Sequence, residues 1–359
     1  MVRITFPDGN SRLFENHPNG FEIAKSISDK LAKESIAMEV NGNLVDLKSQ
    51  IKSDASVVFI TTGNPKALEI LRHSAAHVMA DAILRIYKDA KLTIGPVVGD
   101  EFYYDIDMER VSEDDFPKIE DEMKKIIQAK TPFERQEISK DEALRLYKGE
   151  PYKLELITEL SDGTISLYKQ GKFFDLCRGP HIPHSGFIKA FKLTKVSGAY
   201  WRADQTKAQL QRIYGTAFFS KKDLDEYLFI LEEAKRRNHR KLGTLLDLFS
   251  FHDEAPGMPF FHAKGMVVWN LLLEYWREEH RAAGYVETKT PIMLNRELWE
   301  KSGHWDNYRE NMYFSKIDDY EYAIKPMNCP GGMLIYKTKH HSYKDLPIRA
   351  AEIGLVHRH

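Results

Sequence analysis

The sequence predicts a mixed α/β (α+β) chain made of more than one domain, and three observations carry that expectation. Val2, Ile4 and Phe6 alternate as a half-buried strand does, ahead of a helix and a hairpin signal. A long helical run from about Lys66 to Tyr87 leads into a region where helical and strand-like stretches alternate as far as about Phe219. From Leu245 onward Trp, Phe and Met become frequent, which marks a further domain. A chain of 359 residues is long enough for two or three domains. With 42% hydrophobic and 29% charged residues, most of it is expected to fold rather than stay disordered.

Residues 1–62 read as a small module. Pro7-Asp8-Gly9-Asn10 supplies a turn after the first strand, and Leu13 and Phe14 begin a second. A helix is expected from Gly20 to Lys33. Ala37–Val40, Asn41-Gly42 and Leu44–Leu47 then make a hairpin signal, and Val57–Ile60 closes the module. This order suggests a β-grasp, ubiquitin-like fold, and it resembles the TGS domain at the front of threonyl-tRNA synthetases.

Residues 63–224 form the second expected domain, with helices near 113–129 and 139–148 and strands near 102–107, 165–169 and 187–201. A charged helix near 221–241 includes a helical linker, residues 225–242, ending close to Gly243. The third domain is expected over 243–359.

Charge and cysteine usage narrow the function classes. Lys+Arg at 52 against Asp+Glu at 53 gives a net charge of −1, so any nucleic-acid binding has to come from local patches. The most basic stretch, Lys235 to Lys241, has two readings: a solvated helix face with Glu232 and Glu233 four residues before Arg236 and Arg237, or a phosphate contact. Two cysteines far apart, Cys177 and Cys329, argue against a disulfide framework and for a reducing compartment. The first residues lack the apolar core of a signal peptide, and no apolar run is long enough for a bilayer, so a cytoplasmic protein without a membrane partner is expected.

The chemistry concentrates in two places. His73 and His77, four apart on a helix, share one face. A hundred residues later, Asp175-Leu176-Cys177-Arg178-Gly179-Pro180-His181 sets a thiol and a third imidazole four apart. Three histidines and a cysteine suit either a tetrahedral metal site or a metal-free cluster that polarises a water, and the residues alone leave both open. HSAAH followed by DLCRGPH, after a TGS-like module, resembles the editing domain of bacterial-type threonyl-tRNA synthetases. The resemblance implies hydrolysis of seryl-tRNA without a bound metal. It assigns catalytic parts to His73, His77, Asp175, Cys177 and His181, with Lys153 as a charged partner; Tyr103 or Tyr104 is a further candidate substrate contact.

The second place is the last third. A helix from about Lys264 to Ala283, followed by Val286–Pro291, resembles motif 1 of class II aminoacyl-tRNA synthetases, an element of their dimer interface. Ser302–Tyr308 and Lys325–Gly332 resemble threonyl-tRNA synthetase signatures. The resemblance implies that Cys329 is one ligand of a Zn2+ that grips threonine, that Met327 lines that pocket, and that His304 relays a proton in amino-acid transfer. Arg349 to His359 resembles the first strand of motif 2, which makes Arg358 the contact for ATP, bound with Mg2+. Where the family usually has a glutamate next, this sequence has His359. An antiparallel class II sheet is therefore expected to be begun and incomplete, with the remaining zinc ligands, motif 3 and the anticodon-binding domain lying beyond the sequence. His340, His341 and His357 are not in matching motifs and receive no zinc role.

A physical argument ties the two places together. An apolar pocket separates substrates differing by one methyl by only about 10–200-fold. A zinc that binds an amino and a hydroxyl group excludes valine but still accepts serine, so a second, hydrolytic site is the remedy. The expected function is a homodimeric threonine–tRNA ligase acting on threonine, ATP and tRNA-Thr, with hydrolytic editing of seryl-tRNA. The alternatives are a free-standing editing hydrolase acting in trans, and a non-catalytic RNA-binding or regulatory protein.

Overall fold

The computed structural model describes every residue except Asp162 and His359. The chain divides into two compact units, Met1–Ala234 and a second beginning at Lys235.

The first unit begins with a β-grasp arrangement: β1 (Val2–Thr5), β2 (Ser11–Phe14), α1 (Gly20–Ile27), α2 (Asp29–Glu34), β3 (Ser35–Val40), β4 (Asn43–Asp46) and β5 (Ala55–Thr61). The strands form one sheet in the order β2-β1-β5-β3-β4, with β1 and β5 parallel. Ile4, Met38 and Val57 of the sheet are buried together with Ile23 of α1. The single helix expected over Gly20–Lys33 is two. Ser28 leaves the helical region at φ −163° and its hydroxyl accepts from Leu31 N, capping α2 and ending α1. Such a cap competes with helix continuation because the side chain satisfies an N–H that would otherwise need the preceding turn.

Next comes α3 (Pro65–Ile86), started by Asn64, which accepts from Lys66 N, and by Pro65 at the first turn. Its Ala75, Ala76, Met79, Ala80 and Ile83 are buried, so it is a central helix covered on several sides rather than an amphipathic surface one. It packs on α4 (Phe116–Gln128) and on the sheet made by β6 (Lys91–Leu92), β7 (Val97–Val98), β8 (Glu101–Asp107), β12 (Ala190–Tyr200) and β13 (Gln209–Phe218). A second sheet joins β9 (Phe133–Ser139), β10 (Thr164–Gln170) and β11 (Phe173–Leu176) in the order β11-β10-β9. Between β9 and β10 lie α5 (Lys140–Leu146) and α6 (Pro151–Glu159). Ile36, Ala37 and Ile60 of the β-grasp sheet belong to the same apolar cluster as α3, so the core runs without a break from the first sheet into the second module.

The helix expected over 221–241 is also divided, into α7 (Lys221–Arg236) and α8 (His239–Leu245), because Asn238 caps the second by accepting from Arg240 N and Lys241 N. Gly243 lies inside α8, not beyond its end; a Cβ there would sit 2.1 Å from the Phe249 ring.

The second unit continues with β14 (Phe249–Ser250), β15 (Phe260–Phe261), α9 (Ala263–Ala282), β16 (Val286–Glu287), β17 (Met293–Asn295), α10 (Arg296–Lys301), α11 (His304–Tyr308), β18 (Phe314–Ile317), β19 (Tyr320–Ile324), α12 (Cys329–Tyr336) and β20 (Ala350–Ala351). β17, β19 and β18 form an antiparallel sheet, and Ala323 of β19 clusters with the buried Trp299, Trp305 and Met312. The strand expected over Val286–Pro291 is only two residues long and pairs in parallel with β20. Met266, Val267, Leu271, Leu272 and Tyr275 of α9 are exposed. Among the described residues no helix is long and apolar enough to cross a membrane.

Candidate active site

His73 and His77 project from one face of α3, and Cys177 and His181 stand on the loop that leaves β11. Their ligand atoms all lie within 4.8 Å of one another. His73 Nε2 is 2.8 Å from Cys177 Sγ, and His181 Nε2 is 3.2 Å from it. The rings of His73 and His181 stack at 4.5 Å, and His77 meets His181 edge-on at 4.3 Å.

Glycine makes this loop possible. Gly179 has φ +71°, and a Cβ on it would fall 1.8 Å from the Tyr168 hydroxyl oxygen. Ser74, between the two α3 histidines, fixes the far side of His181. Its hydroxyl donates to the Ile70 carbonyl at 2.8 Å and accepts from Ile182 N at 3.1 Å. That leaves it an acceptor toward His181 Nδ1, 3.0 Å away, so Nδ1 carries the proton and Nε2 is the basic nitrogen facing the thiol.

Burial keeps the whole cluster uncharged. It lowers His73 to about 4 and His77 to about 3, and it holds His181 well below the usual imidazole range. It raises the Cys177 thiol to about 12, so at neutral pH the sulfur is protonated and is not a nucleophile. Behind the cluster, Lys153 and Asp175 are 3% and 2% exposed and form an ion pair at 2.5 Å. Tyr104 donates to Asp175 and accepts from Lys153 Nζ at 3.1 Å. Tyr103 points to the opposite face of β8, against Tyr214 and Arg212. A cavity of about 760 Å³ opens onto these groups, lined by His73, His77, Tyr104, Lys153, Asp175 and Cys177 among others.

The four-residue cluster has the donor set to hold a metal ion. A metal taking all four would have no open position for a water, and it would require the thiol to lose a proton that burial holds tightly. His77 Nδ1 is buried without a partner.

The family model described as "TGS domain" matches residues 2–61. The model described as "Threonyl and Alanyl tRNA synthetase second additional domain" matches residues 165–214. The threonine–tRNA ligase of Desulfatibacillum aliphaticivorans is 67% identical over 359 residues, covering 100% of this chain and 56% of that protein. Over its whole length the chain is similar to the N-terminal portion of threonyl-tRNA synthetases. The ligase of Desulforapulum autotrophicum is 66% identical over 359 residues (100% of this chain, 56% of the relative), and that of Carboxydothermus hydrogenoformans 52% over 363 (100% and 57%). The chain thus spans little more than half the length of these threonyl-tRNA synthetase relatives.

The remaining candidates lie in the second unit. His304 Nε2 is 3.3 Å from Met327 Sδ, and its Nδ1 is 2.9 Å from Ser302 Oγ. Arg358 Nε donates to the Pro326 carbonyl at 3.3 Å, which brings it beside the segment that holds Met327. Cys329 is an exposed free thiol at the first position of α12. His359 lies outside the described residues. The site residues that sequence reasoning missed are Ser74, Tyr168 and Asp46, together with the buried trio Lys325, Glu352 and Thr290, in which Lys325 Nζ lies 2.7 Å from Glu352 Oε1 and 2.8 Å from Thr290 Oγ1. The first three are polar residues with no spacing that marks them. The last is a Lys and a Glu at sites where an unpaired charge would be costly.

Proposed function

We propose that this chain carries the proofreading hydrolysis of a threonine–tRNA ligase, removing serine from mischarged tRNA-Thr. The observation that carries the reading is the clustering of His73, His77, Cys177 and His181, all uncharged at neutral pH, with the first three lining a cavity with a polar wall. Neutral imidazoles retain a lone pair, so His73 or His77 takes the proton of a water attacking the aminoacyl ester carbonyl and returns it to the tRNA ribose oxygen as the ester bond breaks. The Cys177 thiol donates to the basic Nε2 of His181 and orients that ring. Lys153, paired with Asp175, gives the cavity wall a fixed positive group toward which the developing oxyanion can turn. Selectivity arises from crowding: threonine's extra methyl displaces the ester or the water, and a 1 Å displacement costs about 100-fold in rate.

Within the complete ligase, Cys329 would serve as one ligand of a Zn2+ that would hold threonine. Met327 lines the threonine pocket, His304 relays a proton, and Arg358 contacts ATP and its Mg2+. The proximity of His304, Met327 and the Arg358 contact at Pro326 supports this grouping. Homodimerisation through the exposed apolar side chains of α9 belongs to the same reading.

The test is deacylation by the purified chain. Seryl-tRNA-Thr should be hydrolysed and threonyl-tRNA-Thr largely spared, and His73→Ala with His77→Ala should abolish the activity while the thermal transition persists. Hydrolysis of seryl-tRNA by the double variant at the parental rate would overturn the assignment.

A further inference from the structure

The hydrolytic cluster lies in the second module, yet one of the groups that holds it comes from the first. Asp46, at the end of β4, accepts from His181 N at 2.9 Å through Oδ1 and from the Tyr168 hydroxyl at 2.5 Å through Oδ2. Tyr168 in turn packs edge-on against the His181 ring at 4.4 Å, and its hydroxyl oxygen occupies the space that a side chain at Gly179 would need. One carboxylate therefore clamps both the backbone of His181 and the ring that His181 leans on. The clamp is rigid at its base: Leu44 on the same strand packs into the α3 core, and Lys66 at the start of α3 pairs with Glu39 on the neighbouring strand.

We infer that Asp46 of the N-terminal module is a positioning residue for the editing reaction, setting the place of His181 and through it of Cys177. The inference rests on the proposed editing activity. It makes the TGS-like module part of the hydrolytic site, in addition to any contact of its own with tRNA. Asp46 touches no cavity atom, so its effect falls on the rate of the chemical step and not on binding. A carbonyl oxygen suffices to accept from His181 N, so asparagine can replace aspartate and alanine cannot.

The experiment compares the 359-residue chain with Asp46→Ala, Asp46→Asn and Tyr168→Phe, reading seryl-tRNA hydrolysis at several substrate concentrations and the hydrogen exchange of the His181 amide. Asp46→Ala should lower kcat by about 10–100-fold with KM within about two-fold, because displacement of about 1 Å is enough. Its His181 amide should exchange faster, and Asp46→Asn should recover most of both. Parental kcat in Asp46→Ala, a loss confined to KM, or a fall in kcat with the amide still protected overturns the inference. If Asp46→Ala does not fold, Tyr168→Phe decides: it removes one of the two bonds without burying a charge, and parental kcat there is equally fatal. A parental chain inert toward seryl-tRNA sinks the functional reading itself, and the amide exchange then still decides whether Asp46 holds the loop.

Discussion

Replacing Lys153 with methionine keeps the volume of the side chain and removes its charge, leaving Asp175, 2% exposed, without its cation. Breaking a buried pair from one side costs about 3–5 kcal/mol, since the remaining charge is desolvated with nothing opposite it. The Tyr104 hydroxyl still donates to Asp175, which sets the expected loss at the lower end, about 3 kcal/mol. For a unit of this size each kcal/mol moves the midpoint by about 2–4 °C, so the transition of the first unit should fall by roughly 6–12 °C. The assay is thermal unfolding followed by circular dichroism at pH 7. Lys153→Met with Asp175→Leu should recover part of the loss, because no charge remains and the groups left seeking a partner are the neutral Tyr104 hydroxyl and Leu176 N–H. A single variant melting within about 2 °C of the parent, or a double variant no better than the single, would refute the account of the pair as mutually dependent.

Three further outcomes follow from the same geometry. Gly179→Ala should cut seryl-tRNA hydrolysis at least about ten-fold, since its Cβ collides with Tyr168 and the loop must move by an amount of the order that misplaces a reacting group; a parental rate would count against the loop's role. The three buried histidines have folded values below the unfolded 6.5, so the unfolded chain binds more protons between the two. Stability from this source is full above pH 6.5 and is lost as pH falls toward about 4, at about 1.4 kcal/mol per pH unit for each histidine. Denaturant midpoints at pH 7 and pH 5 test this, and equal midpoints would contradict it. Chelation with EDTA should leave the deacylation rate unchanged, because the proposed water activation uses neutral imidazoles; loss of activity restored by added Zn2+ would show a metal at work.

What was legible in the sequence was local. The four-residue spacing of His73 and His77 on α3 is a property of any helix, and the strand order of the first module follows from alternation and turn residues. The caps at Ser28 and Asn238 were missed because each sits inside a run with good helical periodicity, and a side-chain cap wins there only by satisfying particular N–H groups. The helix carrying Lys153 was missed too; it is short, and Pro151 at its start reads as a breaker as readily as a first turn. The grip of Asp46 on His181 could not be read at all, because a tertiary hydrogen bond between residues 135 apart leaves no periodic trace.

That long reach bears on when the protein becomes active as it is made. His73 and Cys177 are 104 residues apart, and Asp46 waits 135 residues for His181. At about 5–20 residues per second, the first module and α3 emerge from the ribosome several seconds before the loop that completes the cluster. Until β8 and α4 emerge, α3 exposes an apolar surface made to be covered on several sides, and the early β-grasp sheet is the partner available to shield part of it. The shared core between the two modules thus gives the nascent chain a partial shelter, and the proposed hydrolytic site is complete only after its last contributor, His181, has been synthesised and docked.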